Sequence, residues 1–174
     1  MQVEIWSDVV CPWCYIGKTR FELALANVRK DYPSLPVEVV FRPYQLDPTA
    51  PTNHAEAVID GYAKKFGGHE RARQIMGHVT KVASVDGLEF DMDKALRANT
   101  LHAHRLLEWA YQEHGAAAQA ALYQEMMAAY FEKGRNIGDH DTLVELTAAA
   151  GLDRDQARAV LNSDRYVADV DHGI

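Results

Sequence analysis

The prolines divide this chain into two parts that must fold differently. All six lie at or before Pro51, and the rest of the 174-residue chain contains none. Proline removes a backbone donor and ends or kinks a helix. The residues after Pro51 are therefore free to form long helices, whereas the residues before it must be built from shorter, interrupted elements.

The first part has the pattern of a β-α-β unit. Residues 2–6 alternate and are β-prone, which predicts a strand, and residues 8–11 predict the turn after it. Pro12 suits the first position of the helix that follows, where its missing N–H would have no partner. Residues 37–42 predict a second strand. A β-α-β unit implies parallel strands joined by a right-handed crossover.

The second part predicts a series of helices. Residues 43–53 hold three prolines in a polar stretch and form a boundary. Apolar spacing and capping residues then predict the helices, with a short extended piece at 87–90. The predicted helices cover residues 55–66, 69–85, 93–114, 116–132, 140–150 and 154–162.

Composition excludes several classes of protein. No run of eighteen apolar residues is present, which argues against a membrane-spanning helix. The net charge of -7 without a basic stripe argues against nucleic acid and anionic membranes as main partners. The first residues lack the basic start and apolar stretch of a signal peptide, as in a cytoplasmic protein, although a mature secreted chain could have lost one. Two cysteines are too few for a disulfide scaffold.

The two cysteines lie where the predicted strand gives way to the predicted helix, with Pro12 and Trp13 between them. At a helix start, the Cys11 sulfur would face unpaired N–H groups and the positive end of the helix dipole, which lower the pKa of Cys11. Cys14 lies one turn further on the same face and can attack a mixed disulfide formed by Cys11. The pair therefore predicts thiol–disulfide chemistry, with Pro12 rigidifying the turn.

Two other interpretations of the cysteine pair remain. A C-x-x-C pair can be half of a zinc site, which needs two further ligands. No other cysteine is present, and only His102 and His104 are closely spaced among the eight histidines. Their i, i+2 spacing places them on different helix faces, so no metal is predicted. The pair could also be two inert buried thiols, but its place between strand and helix favours redox chemistry.

Five stretches of the chain match motifs of one known family. They are residues 5–17 (IWSDVVCPWCYIG), 41–48, 99–105, 129–138 and 150–153. On these residues, nearly the whole chain resembles DsbA-like thioredoxin-fold proteins. The resemblance is strongest to their cytoplasmic branch of polyketide-biosynthesis-type dithiol–disulfide isomerases. It implies an α/β, thioredoxin-like fold with a large all-helical insertion.

The resemblance also implies roles for the cysteines. Cys11 would be the nucleophile and Cys14 the resolving cysteine of a thiol–disulfide oxidoreductase or isomerase. No metal or organic cofactor would be needed, and glutathione or a protein dithiol could serve as redox partner. Two relatives with the same helical insertion, 2-hydroxychromene-2-carboxylate isomerase and kappa-class glutathione transferase, have serine in place of Cys11 and bind glutathione. Both cysteines together favour the oxidoreductase.

The chain departs from this family in one respect. In the family the chain returns from the helices to two more strands and a last helix, and a cis-proline before the third strand helps to hold the substrate. Here no proline follows Pro51. The expected division is therefore residues 1–48 as the β-α-β part, 49–163 as the helical insertion and 164–174 as the start of a truncated return. An open sheet edge would be compatible with a homodimer.

Five further residues are candidates for the site. Asp8 could take part in proton transfer to a thiol or serve only as a turn residue, and Trp13 could shape the substrate surface or pack against the helices. Asn99, His102 and Arg105 follow one another at i, i+3 and i+6. The family resemblance places their helix at the cysteine cleft, although a helix–helix hydrogen-bond network explains them better.

Two functions besides disulfide exchange remain open. One is a glutathione-dependent isomerase or transferase that acts on a small aromatic or electrophilic molecule. The other is a non-catalytic binding module, because the part of the family fold that carries the cis-proline is expected to be missing.

Overall fold

The structure is a computed structural model that describes residues 1–52 and 54–172. Its first elements are strand β1, helix α1 and strand β2, followed by two very short strands and seven further helices. In chain order they are β1 (Gln2–Ser7), α1 (Pro12–Asp31), β2 (Glu38–Pro43), β3 (Glu56–Ala57), α2 (Val58–Phe66), α3 (His69–Val85), β4 (Leu96–Arg97), α4 (Leu101–His114), α5 (Ala116–Phe131), α6 (His140–Ala149), α7 (Arg154–Leu161) and α8 (Val167–His172).

The predicted β-α-β unit is confirmed. Strands β1 and β2 pair in parallel, in a register that runs from Gln2 opposite Glu38 to Ser7 opposite Pro43. Helix α1 connects them and begins at Pro12, which occupies the first helical position as its sequence predicts. The end of β1 and the start of α1 are thus only a few residues apart, and the cysteine pair lies at that junction.

The outer side of β2 is covered by helix α5. The Gln119 side chain is fully buried there: its Oε1 accepts the Phe41 N–H at 2.9 Å, and its Nε2 donates to the Phe41 carbonyl at 2.9 Å. The Phe41 ring also stacks on the Tyr123 ring, with 4.4 Å between centroids. One side-chain amide therefore makes the two hydrogen bonds that a neighbouring strand would otherwise make to Phe41.

Most of the predicted helices are present. Helix α3 buries one face of four residues, as its sequence spacing predicts; they are Ala72, Met76, Val79 and Ala83. Asp139 caps α6 by accepting the Thr142 N–H, and Asp153 caps α7 by accepting the Gln156 N–H. The packed interior lies between α4, α5 and their neighbours, where Trp109, Met126 and other large side chains are fully buried.

The helix predicted over residues 93–114 is wrong at its start. It begins only at Leu101, because strand β4 first pairs antiparallel with β3 in front of helix α2. The Asn99 Oδ1 then accepts the Leu101 N–H at 2.9 Å. Residues 87–90, predicted to be a short extended piece, form no strand in the structure.

The described part of the chain ends in helix α8. Gly173 and Ile174, which belong to the expected return segment, lie outside the described residues. The predicted divisions at residues 48 and 163 stay predictions. Within residues 1–52 and 54–172, no helix combines the length and hydrophobicity needed to cross a lipid bilayer.

Gly134 should be the glycine least tolerant of a side chain. It has φ +61°, and a Cβ there would collide with Lys94 Cβ and lie 2.9 Å from the Lys94 carbonyl oxygen. Because left-handed backbone strain and the clash add, we expect Gly134→Ala to lower the free energy of unfolding by about 2–4 kcal/mol. Urea denaturation measures this. The control Gly17→Ala, inside α1 with open space around it, should stabilise by up to about 1 kcal/mol.

Candidate active site at the start of helix α1

Cys11 caps the start of helix α1. Its backbone is extended, with φ -90° and ψ 111°, and its sulfur accepts the Cys14 N–H at 3.3 Å. The Cys11 N–H in turn donates to the Asp8 carbonyl oxygen at 3.1 Å, which closes the turn after β1. Both cysteines are free thiols and half-buried. Pro12, between them, is buried and fixes the first helical residue.

The two thiols titrate as a pair. The Cys11 thiol donates a hydrogen bond to the Cys14 sulfur, which lowers the pKa of Cys14 from 9.0 to about 7 although burial opposes this. The pKa of Cys11 is raised, first by that same hydrogen bond and then by burial and by the negative charge on Cys14. The pair therefore releases its first proton near neutral pH and holds the second firmly.

The lowered pKa predicted for Cys11 is wrong for this residue taken alone. The backbone amides of Trp13 and Cys14 do lower the pKa of Cys11, as expected at a helix start. The shared proton outweighs them, because Cys11 would have to ionise beside a sulfur that already carries the negative charge. The helix start stabilises each thiolate separately, whereas the proton between the two sulfurs makes the pKa of each thiol depend on the other.

Asp8 lies buried behind the pair and holds three parts of the chain together. Its Oδ2 accepts the Leu46 N–H at 2.8 Å, and its Oδ1 lies 3.1 Å from His104 Nε2 on helix α4. Asp8 is 1% exposed and His104 is 3% exposed. The negative charge of Asp8 raises the pKa of Cys14, whereas the Asp8 backbone lowers it. Asp8 is therefore both a turn residue and an electrostatic neighbour of the thiols.

Trp13 and Tyr15 point in different directions from the same helix turn. Trp13 is 52% exposed, and its ring lies tilted toward His78 of α3 with 6.4 Å between centroids. Tyr15 is buried, and its hydroxyl donates to Glu132 Oε1 at 2.9 Å. An exposed indole thus lies beside the thiols, while the phenol below them anchors α1 to the helical part.

A cavity of about 170 Å³ beside Cys11 is lined by Val10, the residue that precedes Cys11. Burial and then the negative charge at Cys11 raise the pKa of Tyr62, which is another of the lining residues. Apolar side chains form most of the wall. The lining residues are Val10, Leu46, Asp47, Ala50, Val58, Gly61, Tyr62, Lys65, Phe66, Arg97, Ala98 and Tyr130.

A family model for the DSBA-like thioredoxin domain matches residues 2–173. The chain belongs to this family. The DsbA-like resemblance and the α/β, helix-rich thioredoxin fold predicted from the sequence are thereby confirmed.

Three relatives illustrate the DsbA-like family. A probable DsbA oxidoreductase from Streptomyces coelicolor is 34% identical, with a TM-score of 0.86 over 99% of this chain and 73% of that one. The uncharacterized protein YwbO of Bacillus subtilis is 25% identical over 95% of this chain and 74% of its own length. The cytosolic disulfide reductase DsbM from Pseudomonas aeruginosa, solved with GSH, shares the fold at 18% identity and a TM-score of 0.59, over 99% of this chain and 78% of that one.

Asn99 anchors the loop that borders the cavity of this DsbA-like chain. Its Nδ2 donates to the carbonyl oxygens of Pro48 at 3.1 Å and Ala50 at 3.2 Å, while its Oδ1 accepts the Leu101 N–H. The loop from β2 toward β3 is thereby held against the start of α4. Asn99 thus shapes the wall of the cavity through the backbone, and its predicted direct role in the cleft stays a prediction.

His102 and Arg105 contact each other on α4. Arg105 is almost fully buried and donates to the carbonyl oxygens of Val160 at 2.6 Å and Arg165 at 2.8 Å, which ties down the chain between α7 and α8. Burial, followed by the charges of His140 and Arg105, lowers the pKa of His102 to about 4. The contacts described for both residues are with the helical part, and their role in the cleft also stays a prediction.

His104 and Tyr62 belong to the site although the sequence pattern does not single them out for it. His104 lies in the stretch 103–110 of α4, in which every residue is buried. A histidine at such a position needs a buried polar partner, and Asp8 is the one that it meets. Within the described residues, no group of three or more histidine, cysteine or acidic side chains could hold a metal ion.

Removal of the Cys11 thiol should raise the pKa of Cys14. In Cys11→Ala the hydrogen bond from Cys11 is lost, so we expect the pKa of Cys14 to move from about 7 toward its ordinary 9.0. Only the thiolate is alkylated, so the rate of reaction with iodoacetamide rises with pH. The pH at which this rate is half its maximum (the midpoint) should be higher in Cys11→Ala than in the reduced wild type. Cys11→Ser should lie between them, because it keeps a hydroxyl donor but the shorter C–O bond holds that donor farther from the Cys14 sulfur. An unchanged midpoint in Cys11→Ala would contradict the hydrogen bond between the thiols.

Removal of the Asp8 charge should act in the opposite direction. Asp8→Asn keeps a side chain of the same shape but deletes the negative charge that raises the pKa of Cys14. We therefore expect the alkylation midpoint to move to lower pH than in the wild type. Asp31→Asn, which deletes an exposed carboxylate at the far end of α1, should leave it in place. An upward shift in Asp8→Asn would show that another effect of Asp8 dominates.

Proposed function

We propose that this chain is a thiol–disulfide oxidoreductase whose redox centre is the Cys11-Pro12-Trp13-Cys14 segment. The observation that carries the proposal is the place of the two free thiols at the start of α1, where the Cys11 sulfur caps the helix by accepting the Cys14 N–H at 3.3 Å. The hydrogen bond between the thiols lowers the pKa of Cys14 to about 7. A pair of this kind presents a thiolate at neutral pH, and the thiolate is the attacking species in disulfide exchange. Membership of the DsbA-like family supports the same chemistry.

In the proposed mechanism, Cys11 attacks first and does so as the thiolate, because the proton held between the two sulfurs passes to Cys14 when Cys11 reacts. The Cys11 sulfur displaces one half of a substrate disulfide, which leaves as a thiolate, and a mixed disulfide forms with the other half. Cys14 then attacks the Cys11 sulfur, forms the Cys11–Cys14 disulfide and releases the second half. Two electrons pass from the dithiol to the substrate, and a thiol such as glutathione must reduce the pair for another turnover.

Asp8 is our candidate for the proton acceptor in the second step. Once Cys11 is bound to substrate it can no longer donate a hydrogen bond to Cys14, so the pKa of Cys14 rises and its thiol must lose a proton. The Asp8 carboxylate is close enough for its charge to act on Cys14. His104, 3.1 Å from Asp8 Oδ1, holds that carboxylate in place from the helical part.

The finer assignments form part of the same proposal. We infer that the chain acts as a dithiol–disulfide isomerase with glutathione as co-substrate and no other cofactor, in the cytoplasm. Residues 5–17 support the isomerase branch by sequence resemblance. The fold shared with a cytosolic disulfide reductase solved with GSH supports the location and the thiol partner. A homodimer stays a prediction.

The roles of the two cysteines can be separated with oxidised glutathione. We expect the reduced wild type to form the Cys11–Cys14 disulfide without accumulating an adduct. Cys14→Ala should accumulate one glutathione on Cys11, because the resolving thiol is gone. Cys11→Ala should react at least tenfold more slowly, since the pKa of Cys14 is then near its ordinary value and the thiolate fraction falls at neutral pH. Acid-quenched intact-mass spectra measure all three.

Each alternative outcome has a distinct meaning. A wild type that never forms the Cys11–Cys14 disulfide would contradict the oxidoreductase. If Cys11→Ala forms its adduct as fast as Cys14→Ala does, the assignment of the nucleophile is wrong. A stable non-covalent complex with reduced glutathione that persists in Cys14→Ala would favour the glutathione-dependent isomerase or transferase. A folded chain that neither exchanges disulfides nor binds glutathione would favour the binding module.

A further inference from the structure

The cavity beside Cys11 has the size of one aromatic ring. Its volume is about 170 Å³, and an engineered apolar protein cavity of about 150 Å³ binds one benzene. Val10 lines it, and Val10 is bonded directly to Cys11. A group attached to a sulfur that reacts with Cys11 could therefore enter this cavity without a long spacer.

The walls of the cavity are mainly aromatic and aliphatic. Tyr62 and Phe66 of α2 meet edge to face, with 5.5 Å between centroids, and Tyr130 of α5 closes the buried side. Leu46 lies at the outer rim and is 52% exposed. Offset and edge-on contacts between aromatic rings are favourable beyond their burial, so such walls favour a flat ring over an alkyl chain.

The Arg97 side chain also lines the cavity, but two carboxylates neutralise its charge. Its guanidinium lies 2.7 Å from Asp47 and 3.3 Å from Glu56. Gly61 allows this packing, because a Cβ there would approach Arg97 Cδ to 3.1 Å. Arg97 is therefore committed to its two carboxylates and leaves little positive charge for a ligand.

Lys65 supplies the positive charge at the mouth of the cavity. It is exposed, and its ammonium lies 5.6 Å from the centroid of the Phe66 ring. Among the side chains that the structure describes, no carboxylate forms an ion pair with it. In a chain with net charge -7, an uncommitted cation beside an apolar cavity and a reactive thiol is complementary to an anionic ligand.

We propose that this cavity selects small disulfides in which one sulfur carries an aromatic ring with a carboxylate. The ring packs against the wall that Tyr62 and Phe66 form, the carboxylate meets the Lys65 ammonium, and the sulfur faces Cys11. This inference rests on the proposed function, because it assigns a substrate class to the same thiol pair. It assigns Tyr62, Phe66 and Lys65 a role in specificity.

The reaction is the exchange already described, with a defined leaving group. Cys11 attacks the disulfide, one aryl thiolate leaves, and the other half stays bound to Cys11. Cys14 then forms the Cys11–Cys14 disulfide and releases the second aryl thiolate. The substrate gains two electrons and the protein loses two, so a single turnover starting from the reduced protein needs no further reductant.

Three disulfides test the proposal in stopped-flow single turnovers at neutral pH. Dithiobis(2-nitrobenzoate) has the ring and the carboxylate, 4,4′-dithiodipyridine has a ring without a carboxylate, and 2-hydroxyethyl disulfide has neither. Because aryl disulfides react faster with any thiol, the measured quantity is the ratio of two rates, compared between variants. Each ratio cancels changes in the reactivity of the thiol pair itself.

Charge reversal at Lys65 should change the carboxylate preference. We expect Lys65→Glu to lower the rate ratio of dithiobis(2-nitrobenzoate) to 4,4′-dithiodipyridine about tenfold, with a smaller effect at high salt. Lys64→Glu is the matched control, because it makes the same change of net charge in the same last turn of α2. Lys64 does not line the cavity, so its variant should keep the wild-type ratio.

Truncation of the ring wall should change the aromatic preference. We expect Phe66→Ala to lower the rates of both aryl disulfides relative to 2-hydroxyethyl disulfide about fivefold. Phe66 is 38% exposed, so the variant should fold, which circular dichroism verifies. The more conservative Tyr62→Phe tests the same wall and should keep the aromatic preference.

The outcomes separate this inference from the proposed function. If the wild type oxidises its thiols with 2-hydroxyethyl disulfide but Lys65→Glu and Phe66→Ala keep both wild-type ratios, the inferred specificity is wrong and the oxidoreductase stands. If Lys64→Glu lowers the ratio as much as Lys65→Glu, only the general field acts and the cavity site is wrong. If none of the three disulfides oxidises the pair, the proposed function itself fails.

Discussion

The buried carboxylate of Asp8 is the interaction on which the arrangement of this molecule depends. It receives the Leu46 N–H on one side and contacts His104 on the other, while the Asp8 carbonyl receives the Cys11 N–H. A buried charge is tolerated only with such partners, and removal of one partner typically costs about 3–5 kcal/mol. Asp8 therefore fixes the active-site turn, the loop after β2 and helix α4 relative to one another.

The same network connects the thiols to the cavity. Leu46, whose N–H is held by Asp8, forms the rim of the cavity, and Asn99 holds the next residues of that loop through Pro48 and Ala50. The helical part thus does more than cover the sheet. It sets the electrostatic surroundings of Cys14 through His104 and Asp8, and it shapes the space beside Cys11 through α2 and the loop.

Local features of the fold could be predicted from the sequence, and distant pairings could not. The strand, the turn and the Pro12 start of α1 follow from neighbouring residues, and so does the placement of the cysteines. The caps of α6 and α7 follow in the same way. The contact between Asp8 and His104 joins residues 96 positions apart, and no local pattern specifies it. The late start of α4 depends on the pairing of β4 with β3, and the cavity depends on five separate segments that meet only in three dimensions.

The Gln119 side chain blocks the outer edge of the small parallel sheet, along β2. In a parallel strand the N–H and C=O of one residue point to the same side, and both groups of Phe41 point away from β1 and are occupied by Gln119. Pro43, which faces the same side two residues later, has no N–H to offer. A peptide seeking an edge of this sheet therefore finds no continuous row of free groups along β2. Helix α5 thereby closes this side of the sheet to the addition of a strand.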